Sequence, residues 1–148
     1  MGAYLDALKM LARRELSEAQ VRQRLARRGH PSDDIEDAIA RLREERAIDD
    51  TRVAESIART QTALKKRGKL RVRRQIESAG IAGATAKRAV DDVCSGIDDA
   101  ALLEASLLKR LHGRERIADD REFQRLYRYL IGQGFDPDQV LGILRKRS

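Results

Sequence analysis

The sequence predicts an all-α fold of three tandem three-helix repeats, and three observations carry that prediction. First, the chain aligns on three glycines, Gly29, Gly80 and Gly134, spaced 51 and 54 residues apart. Four residues before each stand Leu25, Ile76 and Leu130, and eight before stand Val21, Val72 and Leu126. Six after come Ile35, Ala86 and Val140, and ten after come Ile39, Val90 and Leu144. Any amphipathic helix ending in glycine reproduces part of this pattern. Four apolar columns matching on both sides of the turn favour stacked supersecondary units that share a core with their neighbours. Second, Leu, Ile, Val and Phe make up 35 of 148 residues, enough apolar material to fold. Third, only five aromatic residues and no Trp are present, so the core is aliphatic, and no run of alternating β-branched residues suggests a strand.

The first unit, residues 1–48, opens with a helix from Tyr4 to Arg14 in which Leu5, Leu8, Leu11 and Ala12 keep helical spacing. A second helix starts at Ser17, with Gln20 completing a capping box, and stops at Gly29. Pro31-Ser32-Asp33-Asp34 opens the third, with acids where the helix dipole favours them and Ile35, Ile39 and Leu42 as its buried stripe. The second unit, residues 49–97, begins at Asp49-Asp50. Its first helix carries Val53, Ile57 and Leu64 and is expected to reach about Arg67. A basic helix with Val72, Ile76 and Ala79 on one face runs to Gly80, and a third helix holds Ala86, Val90 and Val93. The third unit, residues 98–148, begins at Asp98-Asp99 with Leu102, Leu103, Leu107 and Leu111. A longer loop is expected around His112 to Arg116. Asp119 caps the next helix, which holds Phe123, Leu126 and Leu130, and Asp136-Pro137 opens the last, with Val140, Ile143 and Leu144.

A net charge of +7 and an isoelectric point near 10 call for an acidic partner: nucleic acid, an anionic surface or an acidic protein. One cysteine, Cys94, excludes an internal disulfide and fits a reducing compartment. No apolar run approaches the length of a membrane span, and the first residues lack the apolar core of a signal peptide. Met1-Gly2 is followed by Asp6 where a myristoylation motif needs Ser or Thr. The expectation is a cytoplasmic protein without membrane contact.

Catalytic chemistry finds little support. No phosphate-cradling glycine loop, metal-ligand cluster or nucleophile–base pair stands at a recognisable spacing, so neither enzymatic activity nor a cofactor nor a metal is expected. His30 and His112 read as exposed turn residues beside helix-ending glycines, and Cys94 as a small buried residue. The paired aspartates recur at helix starts, which favours capping over metal binding. The feature above background is the basic stretch. Seven of the ten residues from Lys65 to Arg74 are cationic and none is acidic, whereas residues 31–50 carry eight acids and three bases. At about 100° per residue, Arg74 lies opposite the Val72/Ile76 face and Arg71 roughly 60° from Arg74, so both are expected to be solvated. A merely solvated face is the plain alternative; the segregation of charge argues for a polarised surface presented to a partner. Stacking aromatics, the usual companions of single-strand recognition, are absent between Asp6 and Phe123. Phosphate contacts remain open.

The same columns carry a resemblance. Leu11-Ala12-Arg13-Arg14-Glu15-Leu16-Ser17, followed by Leu25 and Gly29, resembles the opening signature of the RecX regulators. Leu42 and then Ala47-Ile48-Asp49-Asp50-Thr51-Arg52-Val53-Ala54 resemble that family's Leu…Asp-Asp-x-Arg-Phe-Ala motif. Gly68-Lys69-Leu70-Arg71-Val72 through Ile76 to Gly80-Ile81 is similar to its central motif, and Leu130 to Gly134-Phe135 to its closing one. Val53 stands where the family usually has an aromatic, and Gly132 where a polar residue is common; glycine there is expected to cost about 1 kcal/mol relative to Ala. The resemblance implies an elongated, curved, right-handed array of three repeats, monomeric, that docks in the groove of the RecA–single-stranded-DNA filament. It further implies inhibition of ATP hydrolysis and strand exchange, filament disassembly, and a place in recombination, DNA repair and the SOS response. The expected contacts with RecA or DNA are Lys65, Lys66, Arg67, Lys69, Arg71 and Arg74 of the basic stretch, with Arg13 and Arg14 of the opening signature. The competing reading is a direct DNA-binding protein whose basic helix lies on the phosphate backbone, since Val72 to Val93 has the look of two helices joined by a short glycine turn.

Overall fold

A computed structural model describes residues 2–65, 67–95 and 98–148, and helices are the only regular structure among them. Three helices form each group: α1 (Ala3–Arg13), α2 (Glu18–Arg27) and α3 (Ser32–Glu44); α4 (Asp50–Arg59), α5 (Lys69–Ser78) and α6 (Gly83–Cys94); α7 (Asp99–Leu111), α8 (Asp120–Gly132) and α9 (Pro137–Lys146). Each group closes on a core of its own. Val21, Leu25, Ile35 and Ile39 meet in the first, Val72, Ile76, Ala86 and Val90 in the second, and Leu126, Leu130, Val140 and Leu144 in the third. The apolar columns on either side of the three glycines are therefore the cores, and all three glycines adopt positive φ. The chain exposes 9250 Å², against about 7,600 Å² for a compact monomer of this mass. Cores arranged in a row, rather than merged, account for the excess.

The helix starts follow the sequence closely. Ser17 and Gln20 make the reciprocal capping box. Asp49, Asp98, Asp119 and Asp136 each accept a backbone N–H of the helix they precede, which makes them helix caps.

Two expectations about local structure fail. The helix begun at Asp50 stops short of Arg67: after Arg59 it widens into a π turn over Thr60–Leu64. That turn carries Thr62 inward, where it is buried with its hydroxyl 3.9 Å from Cys94 Sγ. The side chain of Leu64, expected in the apolar stripe, lies outside the described residues. His30 is also no exposed turn residue. It is half-buried, with Nε2 2.6 Å from Asp6 Oδ2, and so ties the α2–α3 turn to α1. The contact spans 24 residues, beyond the reach of local sequence logic. His112 is exposed in the left-handed conformation, as its place before Gly113 suggests.

Candidate functional site

The basic helix α5 is held at both ends by its neighbours. At its start, the Gly68 amide donates to the Gln133 carbonyl at 2.7 Å, and the Leu70 amide to the Gly134 carbonyl at 3.2 Å. The carbonyls just past the end of α8 thus satisfy the free N–H groups at the start of α5, where Gly68 has no side chain to do so. At the other end of α5, the Ala79 carbonyl accepts the hydroxyl of Ser17, the N-cap of α2. Ser17 and Gly68 are both N-caps, and Ala79 and Gln133 both precede a helix-ending glycine. The same joint is therefore made twice, and α8, α5 and α2 follow one another head to tail.

The glycines at these joints have a second task. A Cβ on Gly134 would overlap the Arg71 backbone, one on Gly68 would overlap Gly134, and one on Gly80 would overlap the Ala19 side chain. A Cβ on Gly29 would meet open space. Further polar contacts flank the joints. Glu18 N–H donates to Asp50 Oδ1 at 2.9 Å and Arg52 pairs with Glu15, while Lys69 Nζ lies 3.1 Å from Asp99 Oδ2.

This architecture explains a local oddity. Cations at a helix start oppose the helix dipole, and the first turn of α5 holds Lys69 and Arg71 with no acid. The carbonyl end of α8 supplies the missing negative potential. Arg71 is accordingly half-buried and donates from its guanidinium to the Gly132 carbonyl at 3.1 Å, so it is not the free surface cation its helical angle suggests. Lys69 is likewise engaged with Asp99, which raises its pKa. Lys65 and Arg74 are exposed, Arg67 is half-buried, and Arg13 and Arg14 are exposed four and three residues before the Ser17 joint. Among the described residues none of these five has an acidic partner. Lys66 lies outside the described residues.

Partnerless arginines are not confined to the central helix. Arg24 and Arg27 on α2 and Arg121 and Arg128 on α8 also lack an acidic partner among the described residues, and all but Arg24 are exposed. By contrast, three acids on or beside α3 pair with cations of their own unit, while Asp33, Asp34, Asp37 and Glu44 stay exposed. Glu18 takes both Arg22 and Arg43, Glu36 takes Arg22 at 2.7 Å, and Glu45 takes Arg41 at 3.0 Å and the Tyr4 hydroxyl at 2.6 Å. These bonds push the pKa values of Glu18, Glu36 and Glu45 down. The α2 and α8 arginines were legible as exposed helix positions, but nothing in local spacing joins them to α5; the head-to-tail contact does. No group of three His, Cys, Asp or Glu residues among those described is placed to hold a metal. The arrangement offers cations along a jointed helical line, a surface for binding.

Comparison with known proteins bears on what that surface serves. The chain is 33% identical over 134 residues to the regulatory protein RecX of Syntrophotalea carbinolica, covering 90% of this chain and 88% of that one. The chain belongs to the RecX family. The RecX of Acidithiobacillus ferrooxidans is 34% identical over 146 residues, covering 96% and 90% of the two chains. A family model for the first three-helix domain of RecX matches residues 3–42, the stretch that forms α1, α2 and most of α3. The fold agrees as well. The crystal structure of RecX from Lactobacillus salivarius superposes with a TM-score of 0.75 at 21% identity, covering 97% of this chain and 93% of that one. No helix among the described residues of this RecX chain is long and apolar enough to cross a membrane.

Proposed function

We propose that this chain regulates homologous recombination by lying in the groove of the RecA–single-stranded-DNA filament, lowering ATP turnover and strand exchange and favouring disassembly. Family membership supports a regulatory role, and the observation that carries the finer reading is the head-to-tail line of α8, α5 and α2 with partnerless arginines on all three. A partner that repeats along an axis and is lined by acidic protein and phosphate suits such a line. Lys65, Lys66, Arg67, Arg74, Arg13 and Arg14 are the proposed contacts; Lys69 and Arg71 are assigned to the joint, with contact as a secondary role. The three units, 1–48, 49–97 and 98–148, act as one continuous body, and the chain itself turns over no substrate.

The test is DNA-dependent ATP hydrolysis by RecA with increasing amounts of the chain. Inhibition is expected at or below one chain per RecA, weakening as salt rises. An unchanged rate at several-fold excess rejects the proposal. Direct DNA binding through α5 is the second reading, favoured by the free Arg74; tight binding to bare duplex without RecA at near-physiological salt would establish it instead.

A further inference from the structure

Four of the five aromatic residues lie in the third unit, and two of them, Phe123 and Tyr127, pack against its core on one side and stay partly open on the other. Phe135 is buried in the core at 5% exposure, and Tyr129 is covered by the Arg110 guanidinium, 3.8 Å from its ring centre. Phe123 and Tyr127 sit one turn apart on α8, half-buried, and with Leu141 of α9 they wall a cleft of about 350 Å³. Gln124 and Arg128 form its rim. We propose that this cleft receives a base of single-stranded nucleic acid, stacked on Tyr127 and Phe123.

Charge and chemistry choose this occupant over an apolar side chain of a protein. Arg128 lines the cleft, and Arg121 stands two turns before it on α8, about 10 Å along the helix, while Arg125 between them faces the neighbouring pocket of Arg110, Arg114 and Glu122. Arg121 and Arg128 have no acidic partner among the described residues. Arg125 is only 3.7 Å from Glu122, whose carboxylate is already bound by Arg114 at 3.0 and 2.6 Å. On α9, Arg145 follows Leu141 by one turn, and Asp138 one turn before it is the single opposing charge on that stripe. The walls are mainly aromatic, and every base has a face to stack on them. The rim amide of Gln124 can both donate to and accept from a base edge. Flanking arginines supply the phosphate contacts that such platforms combine with stacking. The site is distinct from the basic helix α5 and does not depend on any recombinase.

The experiment uses the full chain alone, with oligothymidylate of about 15 nucleotides and an abasic oligonucleotide of equal length. The chain has three tyrosines and no Trp, so its ultraviolet emission reports tyrosine stacking directly. Oligothymidylate is expected to quench that emission and to bind about tenfold or more tighter than the abasic strand. Tyr127→Leu, a change that keeps the half-buried position apolar, should abolish both the quenching and the preference while leaving salt-dependent residual binding. Equal affinity of the wild-type chain for the two strands overturns the proposal with no variant needed. So does a folded Tyr127→Leu chain that keeps the preference. Loss of RecA inhibition in Tyr127→Leu without any base preference in the wild type would assign the cleft to a protein side chain and also overturn it.

Discussion

Gly29 and Gly134 share a backbone conformation, with φ of 87° and 95°, but not a neighbourhood. At Gly29 a side chain meets only the strain of the left-handed region, so Gly29→Ala should cost about 1–2 kcal/mol. At Gly134 the added Cβ also collides with the backbone of Arg71, which cannot swing aside as a flexible side chain can. Gly134→Ala should cost about 3 kcal/mol or more, and equal losses in chemical denaturation would contradict the close approach. Glu122 offers a second residue-scale test. Bonds from Arg114 and from the Ala118 amide hold its pKa down to about 2, against an ordinary value near 4.5. A depressed carboxylate contributes stability that is complete above its unfolded pKa and disappears as pH falls through the folded one. Melts of Glu122→Gln and wild type should therefore differ at pH 7, with the gap closing as pH drops from the ordinary carboxylate range to about 2. A gap that stays constant would mean the carboxylate's charge is not what stabilises.

Within α5, two arginines three residues apart divide the work between surface and scaffold. Arg74 is exposed without an acidic partner, so Arg74→Glu should shift stability by about half a kcal/mol or less while weakening inhibition of RecA. Arg71→Glu removes the bond to the Gly132 carbonyl and sets a carboxylate against the carbonyl end of α8. It should cost about 1–2 kcal/mol, and thermal melts of the two single variants separate the roles. This division marks the limit of what the sequence conveys. Helical periodicity identifies Val72 and Ile76 as buried because the partners of their face lie within the same unit, and capping residues such as Ser17 and Asp136 announce helix starts by local chemistry. The same periodicity assigns Arg71 to solvent, since its partner stands 61 residues away on another unit. Ser17 shows both halves at once: its bond with Gln20 is legible, and its bond to Ala79, 62 residues on, is not. The aromatic cleft was hidden for a related reason. Phe123 reads as one more core position on α8, and only the packing of α9 shows that its face and that of Tyr127 are left half open.

Across the whole molecule, every described hydrogen bond or ion pair between units joins neighbouring units: Glu15–Arg52, Arg46–Arg52, Ala47–Arg52, Ser17–Ala79 and Glu18–Asp50 on one side, and Gly68–Gln133, Leu70–Gly134, Arg71–Gly132 and Lys69–Asp99 on the other. Stability in such an array is a sum of unit terms and nearest-neighbour terms. The joints make those neighbour terms directional. Ser17 caps α2 from within its own unit, so the first unit can complete its middle helix as soon as it leaves the ribosome. Gly68 cannot do this for α5, whose opening amides wait for carbonyls 64 and 65 residues downstream. The middle of the chain is consequently the last part to become fully ordered during synthesis and the first to loosen when the final unit opens. Hydrogen exchange on the intact protein can read this: the Leu70 amide should exchange with the opening energy of the third unit's core, at Leu130, and not with that of Val53 in its own. A Leu70 amide that tracks Val53 would show a middle unit that closes alone. If it tracks Leu130, the end of the chain serves as the checkpoint at which its centre becomes a finished surface.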